Sequence, residues 1–478
     1  MTLDIPLIFG KGNERKKNNF VPRMDLEVKN LDNLIPINLQ RLDLPIPNIP
    51  EIEIVRHFVK LSHRNYGVDS GIYPLGSCTM KYNPKINEYL ERLSGFGKIH
   101  PLQDENQGSL EVLYGISKCL EEITGMDGFT LQPAAGAHGE LLGLLIIKKY
   151  FKKKKINKKK IIVPDSSHGT NPASVKMAGF SIIELKSNKN GEIPLDQLEF
   201  AMQEGDVAGI MLTNPNTLGL FDRQIKEITR IIHEHGGLCY YDGANLNPML
   251  GICRPRDMGF DIVHLNLHKT FSGPHGGGGP GSGPIGVIKQ LIPFLPGPSI
   301  IATKQGLVCR YSSKESVGRI KAFWGNFGII IRAYIYILAL GAEGLKKVGQ
   351  ISVLNANYLR VLLQKNYDLP YNRICQHEFV LSDKKMPNDI TTEDIAKRIL
   401  DYGIYAPTIY FPLIVPGALM IEPTETESKQ SLDYFVEVMN KICEEAKKEP
   451  DLLKNAPHTT PVKRLDAVLA ARKPILHD

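Results

Sequence analysis

Residues 261–287 read DIVHLNLHKTFSGPHGGGGPGSGPIGV, and the fold class turns on this stretch. Val263, Leu265 and Leu267 alternate with His264, Asn266 and His268, the two-residue period of a strand. On this reading the strand ends at Lys269 and a glycine-rich turn follows. The run GGGGPGSG (276–283) carries almost no side-chain bulk, so a planar ligand or another segment can approach its backbone closely. A lysine at a strand end is ordinarily a solvated surface residue; what precedes it in the chain gives it a second reading.

Upstream, short apolar runs and helices alternate. IIVPDSSHGT (161–170), GIMLTNPNTLG (209–219) and GLCYYDGANLN (237–247) each read as a strand running into a polar loop. Helical stretches such as DRQIKEITRIIHEHGG (222–237) lie between them. This alternation predicts a mainly parallel, doubly wound α/β sheet, which binds ligands beyond the carboxyl ends of its strands.

Four further elements fall at those ends. Asp242 closes GLCYYD; it is either a helix N-cap or a carboxylate facing a protonated pyridine nitrogen, which would make a cofactor ring an electron sink. The small residues of QPAAGAHGE, Gly136 and Ala137 with His138, open a helix whose free N–H groups and dipole suit a phosphate; tight helix packing is the plainer account. The lysine and hydroxyl of a Walker A loop are missing. His168, in PDSSHGTNPAS, is a loop residue satisfied by backbone bonds or a ring stacked on a flat heteroaromatic. Asn214 can bond a phenolic oxygen. Helix-start phosphate site, stacking ring, amide, carboxylate and lysine, in that order, resemble the fold-type I pyridoxal-phosphate enzymes.

Bulk properties agree with a soluble globular protein. The chain has 478 residues, 42% hydrophobic and 23% charged, enough for two or three domains. The longest apolar stretch, around 327–340, is interrupted by Arg332 and reads as a buried helix. No signal peptide is expected. Seven scattered cysteines without a CxxC pair fit a reducing cytoplasm. Of the +7 net charge, nine lysines fall in KKYFKKKKINKKK (148–160). That run is a polyanion-binding patch or, more plainly, a solvated helix end; without interleaved aromatics, nucleic acid is not expected as a partner. His233, His235 and His275 lack a matching ligand cluster, so no metal is expected. Cys78, in GSCTMKYNP, reads as a small buried thiol.

Composition divides the chain into an extended, proline-punctuated N-terminal arm (1–66), a large cofactor-binding domain (67–331), a smaller C-terminal α+β domain (332–450) and a surface tail (451–478). Proline disfavours helix in the arm, which would need another surface to lie on.

The resemblance extends to one family. GIYPLGSCTMKYNPK, LQPAAGAHGE, DSSHGTNPASVKMAGF, DGANLNPMLG, NLHKTFSGPHGGGGPGSGPIGV, AFWGNFGIIIRAYIYI and MIEPTETES are similar to the P-protein of the glycine cleavage system, in the half that some organisms encode separately as subunit 2. The resemblance implies a mainly parallel sheet of the seven-stranded type and pyridoxal 5′-phosphate held by Lys269. It implies Asp242 on the ring nitrogen, His168 on the ring face, and Gly136, Ala137, His138 and His268 on the phosphate. It implies decarboxylation of glycine, transfer of the aminomethyl group to the lipoyl arm of H-protein, and a heterotetramer with two copies each of this chain and a subunit 1. No nicotinamide step is expected here. Rival readings are another fold-type I aminotransferase or amino-acid decarboxylase, and a cofactor-free subunit that docks partners through its lysines. An aminotransferase would convert its cofactor to the amine form with an amino acid alone; the docking subunit would bind polyanions salt-sensitively.

Overall fold

Alternating apolar runs and short helices generate seven strands that share one sheet: β1 (Gly128–Thr130), β2 (Lys160–Pro164), β3 (Ser181–Leu185), β4 (Val207–Leu212), β5 (Leu238–Gly243), β6 (Ile262–Leu265) and β7 (Ile285–Val287). Their spatial order is β1-β7-β6-β5-β4-β2-β3. The pairs from β6 to β3 are parallel, while β7 and β1 join antiparallel. The computed structural model describes residues 5–11, 25–27, 29–41, 47, 49–101, 103, 106–276, 279, 281–311, 313–322 and 324–476. Gly277, Gly278 and Pro280 of the glycine run, and residues 42–46 and 48 of the arm, lie outside these.

One expectation about the decisive stretch is corrected. β6 stops at Leu265, and all four of its residues are buried. Helices cover both faces of this parallel part of the sheet, so the strand is buried throughout, His264 included, and not half-solvated. Lys269 sits in the turn that follows, where its N–H donates to Asn266 O at 3.0 Å.

Residues 1–70 and 71–478 form separate compact units. In the first, the expected arm contains turns at Ile8–Gly10, Leu31–Asn33 and Ile37–Leu39 and a 12-residue helix, α1 (Glu51–Ser62). The prolines end at Pro50, and Glu51 and Glu53 in the first turn with Lys60 in the last complement the helix dipole.

The second unit adds α2 (Lys85–Glu91), α3 (Ser94–Gly97), α4 (Gln107–Thr124), α5 (Gly136–Lys153), α6 (Thr170–Met177), α7 (Leu195–Met202) and α8 (Ile225–Glu234) around the sheet. Helix α5 lies close against it. A Cβ on Gly143 would stand 2.1 Å from the Tyr240 ring, and one on Gly139 would stand 2.8 Å from Gly283 O. A hairpin, β8 (Ser299–Thr303) with β9 (Gly306–Arg310), leads to α9 (Phe327–Leu363). The smaller lobe follows, with β10 (Phe379–Ser382), α10 (Thr392–Asp401), β11 (Thr408–Ile409), β12 (Ala418–Ile421), α11 (Lys429–Lys448), α12 (Pro450–Lys454) and α13 (Ala467–Arg472). Its sheet has the order β10-β12-β11.

Helix α9 crosses residue 331, the expected domain boundary, because it belongs to both cores. Ile330, Ile331 and Ile337 pack with the large sheet, while Ala356, Leu359 and Leu363 pack with the small one. Between them Gly341 departs from helical geometry (φ 59°, ψ −174°). Arg332, the charge within this apolar helix, is held by Glu88 at 2.7 Å and Glu91 at 3.1 Å.

The lysine-rich run ends α5 and leads into β2. Lys160 pairs with Glu204 and Asp206, Lys153 pairs with Glu315, and Lys148 donates to Ala178 O at 2.7 Å. Local partners therefore take up part of the run's charge. Residue 451 onward is tied down: Leu453 is buried, the Thr459 N–H donates to Asp401 Oδ1 at 2.7 Å, and Arg464 meets Asp394 at 2.8 Å.

Candidate active site

The parallel strands β2, β4, β5 and β6 all point their carboxyl ends toward the start of α5, and the loops there enclose a cavity of about 210 Å³. Gly136, Ala137, His168, Asp242, His268 and Lys269, six of the residues singled out by sequence, line it.

Lys269 is almost fully buried, and its Nζ donates to the carbonyl of Ser77 at 2.6 Å. Asp242, at the end of β5, accepts from Asn171 Nδ2 at 2.8 Å and from the Ala244 N–H at 3.0 Å. His264 Nε2 stands 3.3 Å from the same carboxylate and is itself oriented by the Tyr240 hydroxyl at 2.8 Å. Burial pushes the Asp242 pKa upward, but His264, the Asn171 and Ala244 bonds and Lys269 outweigh it and hold the carboxyl below its usual range. A buried carboxylate kept ionised is what a protonated ring nitrogen needs opposite it.

His168 lies in the loop between β2 and α6. Its Nδ1 is 2.7 Å from the Thr170 hydroxyl, and its ring meets Phe411 edge-on at 5.5 Å. Burial and the nearby Lys269 lower its pKa, so the ring stays neutral and flat. His268 receives the Ser282 N–H on Nδ1 at 3.2 Å, and burial next to His275 lowers its pKa to about 3.

Helix α5 begins at Gly136 with no side-chain cap, so its first N–H groups are available to an anion. A Cβ on Gly136 would sit 2.6 Å from Asn266 Oδ1, an atom that is buried and has no hydrogen-bond partner among the described residues. Uncapped helix start, ionised carboxylate, neutral flat imidazole and buried amine are a donor set that fits pyridoxal 5′-phosphate.

Two expected residues do not line the cavity. Asn214 turns away from it: its Oδ1 accepts the Asp222 N–H at 2.9 Å and its Nδ2 reaches Asp222 O at 3.5 Å. The amide closes its own loop, a use that strand-end position alone does not reveal. His138 accepts the Ala134 N–H on Nδ1 at 3.2 Å and so shapes the loop before α5. Sequence reasoning missed Ser77, Glu140, Thr217, Asn245 and Asn266, all in the lining. Asn245 was within reach of it, as it follows Asp242 in DGANLN. Glu140 is buried on the inner face of α5 and receives the Thr170 and Ser174 hydroxyls at 3.0 Å each. Its interior helix position disguised it.

Of the histidine readings, His233 pairs with Asp261 at 2.8 Å. Cys78 is partly buried, and burial raises its pKa despite the opposing pull of Lys269; it is a poorly activated thiol beside the site.

A large, mostly parallel seven-stranded sheet with a lysine in the loop after one central strand and a carboxylate closing its neighbour defines the fold-type I pyridoxal-phosphate class. Solved structures bear out the fold. A crystal structure of glycine decarboxylase (P-protein) of the glycine cleavage system, in inhibitor-bound form, superposes with a TM-score of 0.73 at 19% identity, covering 86% of this chain and 94% of that one. A glutamate decarboxylase from Lactobacillus brevis gives 0.66 at 13% identity, over 86% of this chain and 96% of that one. The family model for the glycine cleavage system P-protein matches residues 15–307, and that for the C-terminal domain of glycine dehydrogenase matches 348–458. The probable glycine dehydrogenase (decarboxylating) subunit 2 of Caldanaerobacter subterraneus is 56% identical over 475 residues, 98% of each chain. That of Kosmotoga olearia is 59% identical over 446 residues, 92% of each chain. The chain belongs to the glycine cleavage system P-protein family, in its separately encoded subunit 2 form.

Proposed function

We propose that this chain is the cofactor-bearing subunit of a cytoplasmic glycine decarboxylase. On this reading it works with a subunit 1, as a heterotetramer of two copies of each, and passes the aminomethyl group of glycine to the lipoyl arm of H-protein. What carries the reading is the buried Lys269 amine in a cavity walled by Asp242 and the start of α5, in a chain of this family.

Pyridoxal 5′-phosphate, when bound, supplies an electron-accepting ring onto which the bond to the departing CO₂ can release its electrons. The chain's own residues divide the remaining work. Lys269 would hold the cofactor covalently, and its amine would be placed to move a proton at the reacting carbon. Asp242, kept ionised by His264, Asn171 and the Ala244 N–H, would hold a proton on the ring nitrogen. The N–H groups at Gly136 and Ala137, with His268, would bind the phosphate. His168 would lie on the ring face. Burial of this wall removes water around the substrate carboxylate, which favours its loss.

Exchange of labelled bicarbonate into the carboxyl group of glycine tests the assignment. It should require this chain, subunit 1, lipoylated H-protein and pyridoxal phosphate, and it should vanish in Lys269→Ala. Exchange that persists in that variant refutes the role of Lys269. A preparation that carries the cofactor but shows no exchange, and converts it to the amine form with an amino acid alone, refutes glycine decarboxylation in favour of an aminotransferase.

A further inference from the structure

Behind the Lys269 cavity lies a second cluster, made of His377, Glu378 and Glu422. Their ligand atoms lie within 4.8 Å of one another, and all three residues are fully buried. Such a site is unfavourable for two carboxylates. Glu378 Oε2 accepts the Ser77 N–H at 2.8 Å, and its Oε1 lies 3.4 Å from Asn245 Nδ2. Both oxygens of Glu422 and both ring nitrogens of His377 lack hydrogen-bond partners among the described residues. Thr79 approaches Glu422 closely enough to ease its charge, without hydrogen-bond geometry.

Ser77 connects this cluster to the amine. Its N–H is held by Glu378 and its carbonyl receives Lys269 Nζ at 2.6 Å. Its φ is +68°, a left-handed conformation that a serine keeps only when its surroundings impose it. The N–H belongs to the 76–77 amide and the carbonyl to the 77–78 amide, so the link is one of geometry and charge: Glu378 fixes the Ser77 backbone that aims its carbonyl at Lys269, and its carboxylate acts on the Lys269 ammonium through space.

Charge counting fixes the state of the pair. Lys81 also acts electrostatically on Glu422, but it is matched by Glu425 at 2.6 Å. Burial, with Lys269 and Lys81 nearby, lowers the pKa of His377 to about 3 and leaves it neutral. Cys78, the other titratable neighbour, has its pKa raised by burial. Two ionised glutamates would share the one Lys269 cation with the ionised Asp242 and leave buried negative charge unmatched; a proton on one of them reduces that excess. Burial and the neighbouring Glu378 raise the Glu422 pKa well above the carboxylate range, while Glu378, bonded to the Ser77 N–H, reaches about 7.

We propose that Glu378 is a positioning residue for Lys269, acting through the Ser77 backbone, and that Glu422 keeps a proton so that the charge of the pair rests on Glu378. The proposal rests on Lys269 being the cofactor lysine, and two measurements separate the failure of either idea. Infrared spectroscopy of the whole protein at pH 8 should show the carbonyl stretch of a protonated, buried carboxyl. Glu378→Gln should retain that band and Glu422→Gln should lose it. A parent protein without the band, or a Glu422→Gln variant that keeps it, overturns the proton assignment whether or not cofactor is bound. The second measurement titrates the visible absorbance of the cofactor linked to Lys269. Glu378→Gln should lower its midpoint by about one pH unit, and Glu422→Gln should leave it near the parent value. An unmoved midpoint in Glu378→Gln reduces that residue to a structural prop. Absence of the absorbance in the parent refutes the cofactor reading, while the infrared result still stands. If Glu378→Gln does not fold, the Glu422→Gln band decides.

Discussion

Asp242 is held by three groups on its own side of the cavity, from Asn171, Ala244 and His264. Asparagine there would keep the shape but lose the charge that stabilises a protonated ring nitrogen. We therefore expect Asp242→Asn to keep its cofactor, seen by visible absorbance, while kcat falls by roughly 10²–10³-fold; an unchanged kcat would remove Asp242 from the chemistry. At Glu378 the folded chain holds its proton up to about pH 7, against 4.5 for an ordinary glutamate. Between these values the folded state binds more protons than the unfolded one. The stability contributed by Glu378 is thus complete below about pH 4.5 and lost as pH rises through 7. Urea unfolding of Glu378→Gln and the parent should show the difference moving in favour of the variant between pH 5 and pH 8; a pH-independent difference would contradict the buried-acid account.

Helix α5 sits close enough to the sheet to place its first turn over the strand ends, and the glycines on its inner face permit this. A Cβ at Gly136 would meet Asn266 Oδ1 at 2.6 Å. Gly136→Ala should force that side chain back and weaken pyridoxal phosphate binding about tenfold, an effect of about 1.4 kcal/mol, measurable by fluorescence titration of the cofactor. An unchanged Kd would show that the cradle has slack. At this scale much was legible in the sequence, because periodicity reports strands and small residues report helix starts. The parallel strands, α5, Asp242 and Lys269 followed from that. Partner choice was not legible. Asn214 occupies a strand end just as Asp242 does, but its amide is used up by Asp222. Glu378, just before β10, and Glu422, just after β12, approach the site from the other lobe, more than a hundred residues after Lys269; Glu422 lies in the quoted MIEPTETES, but no periodicity there ties it to Lys269.

Across the second unit, residues 72–82 run from the small sheet to the large one. Leu75 bridges to Ile421, and Tyr82 N–H donates to the Thr426 hydroxyl at 3.1 Å. Lys81 is the centre of this crossing: its buried Nζ reaches Glu425 at 2.6 Å, Asn247 Oδ1 at 2.6 Å and the carbonyl of Thr270, next to Lys269, at 3.0 Å. Burial alone would lower its pKa; Glu425 and Tyr336 more than offset this and raise it. Removing one partner of such a pair leaves the other charge buried alone. Lys81→Met should destabilise the protein by about 3–5 kcal/mol in denaturant unfolding, and adding Glu425→Leu should recover part of the loss. A single variant as stable as the parent would show that water reaches Glu425.

The same ammonium also acts as a latch. Glu425 belongs to the small lobe, and Thr270 and Asn247 belong to the large one, so the lobes cannot part here without breaking a buried ion pair. Any partner that works by prising the lobes apart must replace the bonds that Lys81 makes to Glu425, Asn247 and Thr270, and any that does not must reach Lys269 with the latch closed.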